Sequence, residues 1–215
     1  MQLKNNNWYL LYPCPVQTKT VTPDKSFCAL DPGVRTFQTL YSPEGVIKFQ
    51  HNRELFKRLR AKLDYLQGLR SRKWIRSNHY KRVRQRIYSK IGWIMDELHY
   101  STIQELKRYK YVLLPNFESQ EVVSRNRRLN RVSKRELQCL QHYTFKQRLI
   151  SSMYLQTATE VHIVSEEYTS KTCTQCGTLN DIGSSEIYRC QACSLVIDRD
   201  INGARNILLK HLCSV

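Results

Sequence analysis

The chain has 215 residues, enough for one ordinary domain and a small appended module. Lys and Arg number 35 against 18 Asp and Glu, a net charge of +17, and 41% of the residues are hydrophobic. That apolar content excludes whole-chain disorder, and no apolar run approaches the roughly 18 residues a membrane span requires. Trp8–Tyr12 is too short for the apolar segment of a secretory leader, so an intracellular location is expected, cytoplasmic or nuclear according to the host. The positive excess is costly without a polyanion to neutralise it. Nucleic acid fits better than a membrane surface, because no amphipathic anchor is visible.

In chain order, Asn7–Tyr12 reads as a strand cut off by Pro13 and Pro15, and it needs a partner from elsewhere. Ser26–Leu30 is a second strand entering Asp31-Pro-Gly33. Arg35–Tyr41, the turn Ser42–Gly45 and Val46–Gln50 complete a meander. Residues 51–109 read as two helices, with Leu55, Leu59, Leu63, Leu66 and Leu69 on the first and Val83, Ile87, Ile91, Ile94 and Leu98 on the second. A basic connection near Ser71–Asn78 joins them. No acid falls between Arg70 and Lys90, while Trp74, His79 and Tyr80 are interleaved among the cations. Arg72, Lys73, Arg76, Lys81, Arg82 and Arg84 are therefore candidate nucleic-acid contacts, against the ordinary reading of a solvated helix face.

Lys110–Glu118 is the next buried strand, followed by a second basic stretch that includes Arg127 and Arg128. Leu137–Thr159 is helical, with Leu140, Phe145, Leu149, Met153 and Leu155 as core positions. Val161–Val164 is a short strand, and Ile201–Leu212 forms the last helix, begun at Asp198. The order of elements gives an α/β layer arrangement with a mixed sheet.

Eight cysteines in a reducing compartment are not a disulfide framework. Cys14, Cys28, Cys139 and Cys213 are scattered and read as small buried hydrophobes. The other four form Cys173-Thr-Gln-Cys176 and Cys190-Gln-Ala-Cys193, the spacing of a zinc ribbon. Four sulfur ligands leave no open position for water, so one structural Zn²⁺ is expected rather than a catalytic one. A redox dithiol and an iron–sulfur cluster are the weaker readings. Gly177 follows the second cysteine, where the knuckle turn favours a residue tolerant of positive φ.

Asp31, Glu118 and the Asp198/Asp200 pair sit at strand ends or at a helix start. Taken singly, such acids are turn formers or N-caps. Taken together, carboxylates at one sheet edge can hold two divalent cations, Mg²⁺ or Mn²⁺, that hydrolyse a phosphodiester.

These motifs resemble a known family. Ala-Leu-Asp31-Pro-Gly-Val-Arg-Thr-Phe and Leu-Leu-Pro-Asn-Phe-Glu118-Ser-Gln are similar to the first two RuvC motifs of TnpB (OrfB) transposon-encoded nucleases. Tyr168-Thr-Ser-Lys-Thr-Cys-Thr-Gln-Cys-Gly177 and Cys190-Gln-Ala-Cys193 resemble the family's zinc ribbon. Asp198-Arg-Asp-Ile-Asn-Gly-Ala-Arg-Asn206-Ile resembles the third RuvC motif, and the wording is nearest the Fanzor branch. The resemblance implies an RNase H-like (RuvC) mixed sheet flanked by helices with an inserted zinc ribbon. It implies a metal-dependent DNA endonuclease, RNA-guided in full-length relatives, with DNA and a guide RNA as partners.

Residue by residue, it implies Asp31, Glu118 and Asp200 as catalytic acids, with Asp198 a neighbour or a cap. Thr169, Ser170 and Lys171 would touch a nucleic-acid backbone. Arg205 would face substrate phosphate, or else the helix surface. The expected divisions are 1–23 (the final strand of an otherwise missing N-terminal barrel), 24–168 (nuclease core with the 51–109 insertion), 169–197 (ribbon) and 198–215 (closing motif and helix). A non-catalytic nucleic-acid-binding remnant of a mobile element is the alternative, and a ribbon serving protein contacts is a third reading.

Overall fold

The computed structural model describes residues 1–4, 7–13, 22–117, 131–156, 158–183 and 185–213. The chain forms two compact units, Met1–Gln17 with His51–Tyr100, and Thr18–Gln50 with Ser101–Val215. Among the described residues, no helix is long and apolar enough to cross a membrane.

In the first unit, β1 (Gln2–Lys4) pairs antiparallel with β2 (Asn7–Tyr9), Leu3 opposite Trp8. The strand expected over Asn7–Tyr12 is thus shorter than its apolar run. Its partner is the segment just before it and not a distant one. Helix α1 (Arg53–Ser71) starts at Asn52, whose side-chain oxygen accepts from the Leu55 amide at 2.9 Å, an N-cap bond. It buries Phe56, Leu63 and Leu66. Helix α2 (Ser77–Leu106) buries Ile87, Ile91, Met95 and Leu98, a repeat of three to four residues that keeps one stripe inward. Lys73, in the connection, takes a φ of +61°. Arg72, Lys73, Arg76, Lys81, Arg82 and Arg84 are all exposed. The Arg72 and Arg84 guanidinium groups each lie 5.0 Å from a ring centroid, those of Trp74 and Tyr88.

The second unit is built on a five-stranded mixed sheet. Its strands are β3 (Lys25–Pro32), β4 (Gln38–Ser42), β5 (Gly45–Phe49), β6 (Tyr109–Pro115) and β7 (Glu160–Val164), in the order β5-β4-β3-β6-β7. The β3–β4–β5 meander is antiparallel, while β6 and β7 run parallel to β3 and to each other. Parallel neighbours require crossovers and burial on both faces, and Cys28, Ala29 and Leu30 in β3 are fully buried.

Helix α3 (Arg131–Leu140) and helix α4 (His142–Gln156) divide at Gln141, which has a φ of +52°. The single helix expected over 137–159 is therefore two. Leu137, Leu140, Phe145, Leu149 and Met153 are buried as expected, but Leu155 is 42% exposed on the last turn. After β7 come the small hairpin β8 (Ile187–Arg189) and β9 (Val196–Asp198), then helix α5 (Arg199–Leu212). Helix α5 returns onto β3 and β4, closing a cluster of Ala29, Leu113, Ile207 and Leu208. Of the scattered cysteines, Cys28 is buried, Cys139 is partly buried and Cys213 is exposed. Cys213 is thus not the core residue expected, because the chain has left the sheet by the C-cap of α5. Cys14 lies outside the described residues.

Candidate active site and metal centre

Asp31 is the penultimate residue of β3, the central strand, and pairs in register with Thr39 of β4. Helix α5 brings Gly203 against it. A Cβ built at Gly203 would stand 2.8 Å from Asp31 Oδ2 and 3.2 Å from its Cγ, so only the missing side chain admits the carboxylate. Part of Asp31 still reaches solvent, yet the protein around it is dense. Burial, then the neighbouring negative charges of Asp200, Glu166 and Asp198, push its carboxyl well above the usual range, with Arg199 opposing. Burial and Asp198 likewise raise Asp200, and Lys48, Arg199 and a hydrogen bond from Thr36 pull it back. Burial raises Glu166, in the loop after β7.

The sequence-identified acids thus divide. Asp31 and Asp200 meet where β3 faces the first turn of α5. Glu118 lies outside the described residues, as do Arg127 and Arg128. Glu166 joins the site although its sequence gave no sign of it; Ser165-Glu-Glu-Tyr168 reads as an ordinary solvated loop. Asp198 has a structural task for both oxygens. Oδ1 accepts from the Asp200 and Ile201 amides at 3.0 and 3.2 Å, capping α5. Oδ2 accepts from Lys48 of β5 at 2.7 Å. Asp198 thus caps α5 and is also a charged neighbour of Asp31 and Asp200.

Two supports were not visible in sequence. Gln50 Nε2 donates to Thr36 Oγ1 at 3.3 Å, and the Thr36 hydroxyl bonds Asp200, a relay that orients the carboxylate. His142 opens α4 with its ring stacked on Phe37 and edge-on to Phe117. Its Nε2 donates to the Gly33 carbonyl at 3.2 Å, two residues past Asp31, which leaves Nδ1 to accept from Gln38 at 3.5 Å.

The four cysteines converge as their spacing requires. All four sulfur atoms lie within 4.8 Å of one another, with Cys173–Cys193 and Cys176–Cys190 each at 3.6 Å. They form a cluster able to hold a metal ion, and among the described residues no other group of three or more such ligands is so close. The acids around Asp31 are spaced more widely. Gly177 has a φ of +76°, as the knuckle turn predicts, and Ser194 holds the same place after the second knuckle at +58°. Backbone amides of Cys193 and Ala192 point at the Cys190 sulfur, and the Cys190 thiol is held down at about 6. Beneath the knuckles, Asn180 donates to the Tyr188 hydroxyl at 2.9 Å, and that hydroxyl donates to the Lys171 carbonyl at 3.0 Å.

Two asparagines of α5, one turn apart, fasten this module to the acid-bearing helix. Asn202 Oδ1 accepts from the Thr174 amide at 3.1 Å, and its Nδ2 donates to the Thr172 carbonyl at 2.8 Å. Asn206 Nδ2 donates to the carbonyls of Thr169 and Thr172 at 2.8 and 2.6 Å. Arg199 adds a 2.9 Å bond to the Gly183 carbonyl, and Arg35 pairs with Glu186. Arg205 is partly buried with its guanidinium 5.9 Å from the Tyr41 ring centroid, and Lys171 is exposed.

A mixed sheet carrying acids where its central strand meets a closing helix, with a four-cysteine module let in before that helix, is a RuvC-like architecture. A family model described as Cas12f1-like, TNB domain, matches residues 142–207. The putative transposase R186 of Acanthamoeba polyphaga mimivirus is 35% identical over 204 residues, which cover 88% of this chain and 41% of the relative. The TnpB-like protein L79 of the same virus is 30% identical over 210 residues, 93% of this chain and 40% of the relative. A cryo-EM structure of a Cas12f1–sgRNA–target DNA complex superposes with a TM-score of 0.53 at 21% identity, over 84% of this chain and 48% of that one. The chain is similar to TnpB-type, RuvC-like proteins, and it spans about two fifths of the length of these two curated relatives.

Proposed function

We propose that the chain is the catalytic part of a divalent-metal-dependent DNA endonuclease of the transposon-associated, RNA-guided type. The observation that carries this reading is the crowding of Asp31 by Asp200 and Glu166. Burial raises all three carboxyls, and the charges of Asp200 and Glu166 raise Asp31 further; a cation bound there would hold them ionised. Mg²⁺ or Mn²⁺ bound there would activate a water and stabilise the leaving oxygen of a phosphodiester. Asp31 and Asp200 would be direct ligands. Glu118 is the third ligand by its motif, and Glu166 is the third by its place beside Asp31. The cysteine cluster would hold one structural Zn²⁺. The exposed cations of α1 and α2, together with Arg127 and Arg128, would hold nucleic-acid backbone, DNA or guide RNA.

The test is incubation of the purified chain with labelled single- and double-stranded DNA, in Mg²⁺ or EDTA. Asp31→Ala, Glu118→Gln and Glu166→Gln run alongside. Cleavage that needs Mg²⁺ and is lost in Asp31→Ala, with binding kept, is expected. Whichever glutamine variant also loses cleavage identifies the third acid. Salt-sensitive binding with no cleavage under any condition would favour the non-catalytic remnant instead.

A further inference from the structure

Two histidines from different elements come together at the edge of the sheet, outside both the acid site and the cysteine cluster. β7 is the outermost strand, and strand alternation places Glu160, His162 and Val164 on one of its faces. That is the face α5 covers, since Val164 packs against the cluster that holds Ile207 and Leu208. His211 stands one turn beyond Ile207, on the same side of the helix. Moving from Val164 to His162 and from Ile207 to His211 leads to one place. There the two imidazole rings lie 5.6 Å apart, centre to centre.

The spacings suit a shared metal ion. An imidazole bound at a Zn–N length of about 2.0–2.1 Å has its ring centre about 3 Å from the ion, so two rings on one tetrahedral ion stand about 5 Å apart. By the same lengths, two donor atoms on such an ion are about 3.3 Å apart. Glu160 Oε2 lies 3.5 Å from His162 Nε2, longer than an ordinary hydrogen bond and close to that ligand spacing. The three donor atoms do not all lie within 4.8 Å of one another, and a rotation of the His211 side chain, on the last turn of α5, completes the set. Tyr111, the register partner of Glu160, meets the His162 ring edge-on at 5.8 Å and backs it from β6.

We propose that Glu160, His162 and His211 form a second transition-metal site, which ties the C-terminal end of α5 to the edge strand. Two imidazoles and one carboxylate select ions such as Zn²⁺ or Ni²⁺ over Mg²⁺, which takes oxygen ligands. The site is thus chemically distinct from the acids around Asp31. With no thiolate and one protein ligand fewer, it holds its ion more loosely than the cysteine cluster does and gives it up on dialysis. An ion bound there restrains the far end of the helix that carries Asp200 and Gly203.

The test is a calorimetric Ni²⁺ titration of the full chain, dialysed and then held in excess Mg²⁺. Wild type should take up one Ni²⁺ more per chain than His162→Ala or His211→Ala. Glu160→Gln should weaken that uptake about tenfold. His79→Ala, which removes an exposed histidine of α2, should bind as wild type does. Ni²⁺ should also raise the melting temperature of wild type by more than that of either ligand-histidine variant. Glu160, His162 and His211 are all at least partly exposed, so the three variants should melt with wild type when metal is absent. Equal uptake by wild type and both ligand-histidine variants would overturn the site, as would an uptake that His79→Ala lowers just as much.

Discussion

Gly203 and Asp31 make a contact that a side chain at position 203 would obstruct: a helix with no side chain at that position receives a carboxylate from the central strand. In an ordinary helix interior, glycine is less favourable than alanine by about 1 kcal/mol. Gly203→Ala should therefore favour the helix while displacing the Asp31 carboxylate, whose Oδ2 would lie 2.8 Å from the new methyl. Metal-dependent cleavage should fall by about 10² with the fold retained, since a displacement of about 1 Å at a reacting centre costs that much. Activity and melting curves measured on the same preparation check both halves.

The raised carboxyl of Asp31 makes a prediction about pH. An acid whose folded value lies above its unfolded value binds more protons in the folded state. Its penalty is absent below the ordinary aspartate range and grows as pH rises toward the folded value. In EDTA, stability should fall as pH is raised from about 4 toward neutrality. Asp31→Asn should lessen that fall and melt higher at pH 7, by about 2–4 °C per kcal/mol relieved. Added Mg²⁺ should raise the wild-type melting temperature at pH 7 more than that of Asp31→Asn. A flat pH profile in wild type would show that Asp31 is not held above its ordinary range.

Asn206→Ala removes one donor from two carbonyls, those of Thr169 and Thr172. A loss of about 1–3 kcal/mol is expected, because the buried Thr169 loses the Asn206 donor to its carbonyl while the Thr172 carbonyl keeps its bond from Asn202. The change should also speed release of the cysteine-bound metal to a chelator, since Thr172 immediately precedes Cys173. A metal-release rate equal to wild type would show that the knuckle is held by its own hairpin alone.

Elemental analysis should find one zinc per chain. Cys190→Ser should abolish or sharply weaken binding and raise amide exchange throughout 169–197. The module is too small to bury a core of its own beyond Tyr188 and a few partly buried apolar residues around it. If exchange there is unchanged, the ion is not what orders the module.

The cysteine cluster was legible in sequence because its geometry is local: two knuckles, each fixed by a spacing of two residues. Asp31 and the Asp198/Asp200 pair stood out because a strand end and a helix start carry turn and cap signatures, and the choice of Asp200 within the pair rested on the family resemblance. Glu166 did not stand out, since only the parallel pairing of β7 with β6 carries its loop toward Asp31, and pairing across a sheet leaves no mark in neighbouring residues. The break at Gln141 was hidden for a different reason. A left-handed residue that is neither glycine nor asparagine breaks no local rule a reader would consult, yet it sets His142 at a helix start, against the Gly33 carbonyl. Lys48 and Thr36 looked like ordinary positions of a meander, and they act on the acids only because α5 comes to lie over it.

The reach of Asn202 and Asn206 bears on how such proteins could be recombined. Chain order suggests a cassette from residue 169 to 197, cut where the hairpin meets the last helix. An exchange at those points would leave the host's α5 facing foreign carbonyls at 169 and 172 and a foreign amide at 174. The transplantable piece runs instead through Asn206, and it takes Asp200 and Gly203 with it. A donor module would arrive with its own half of the acid site, and its fit would be decided at Asp31 of the recipient.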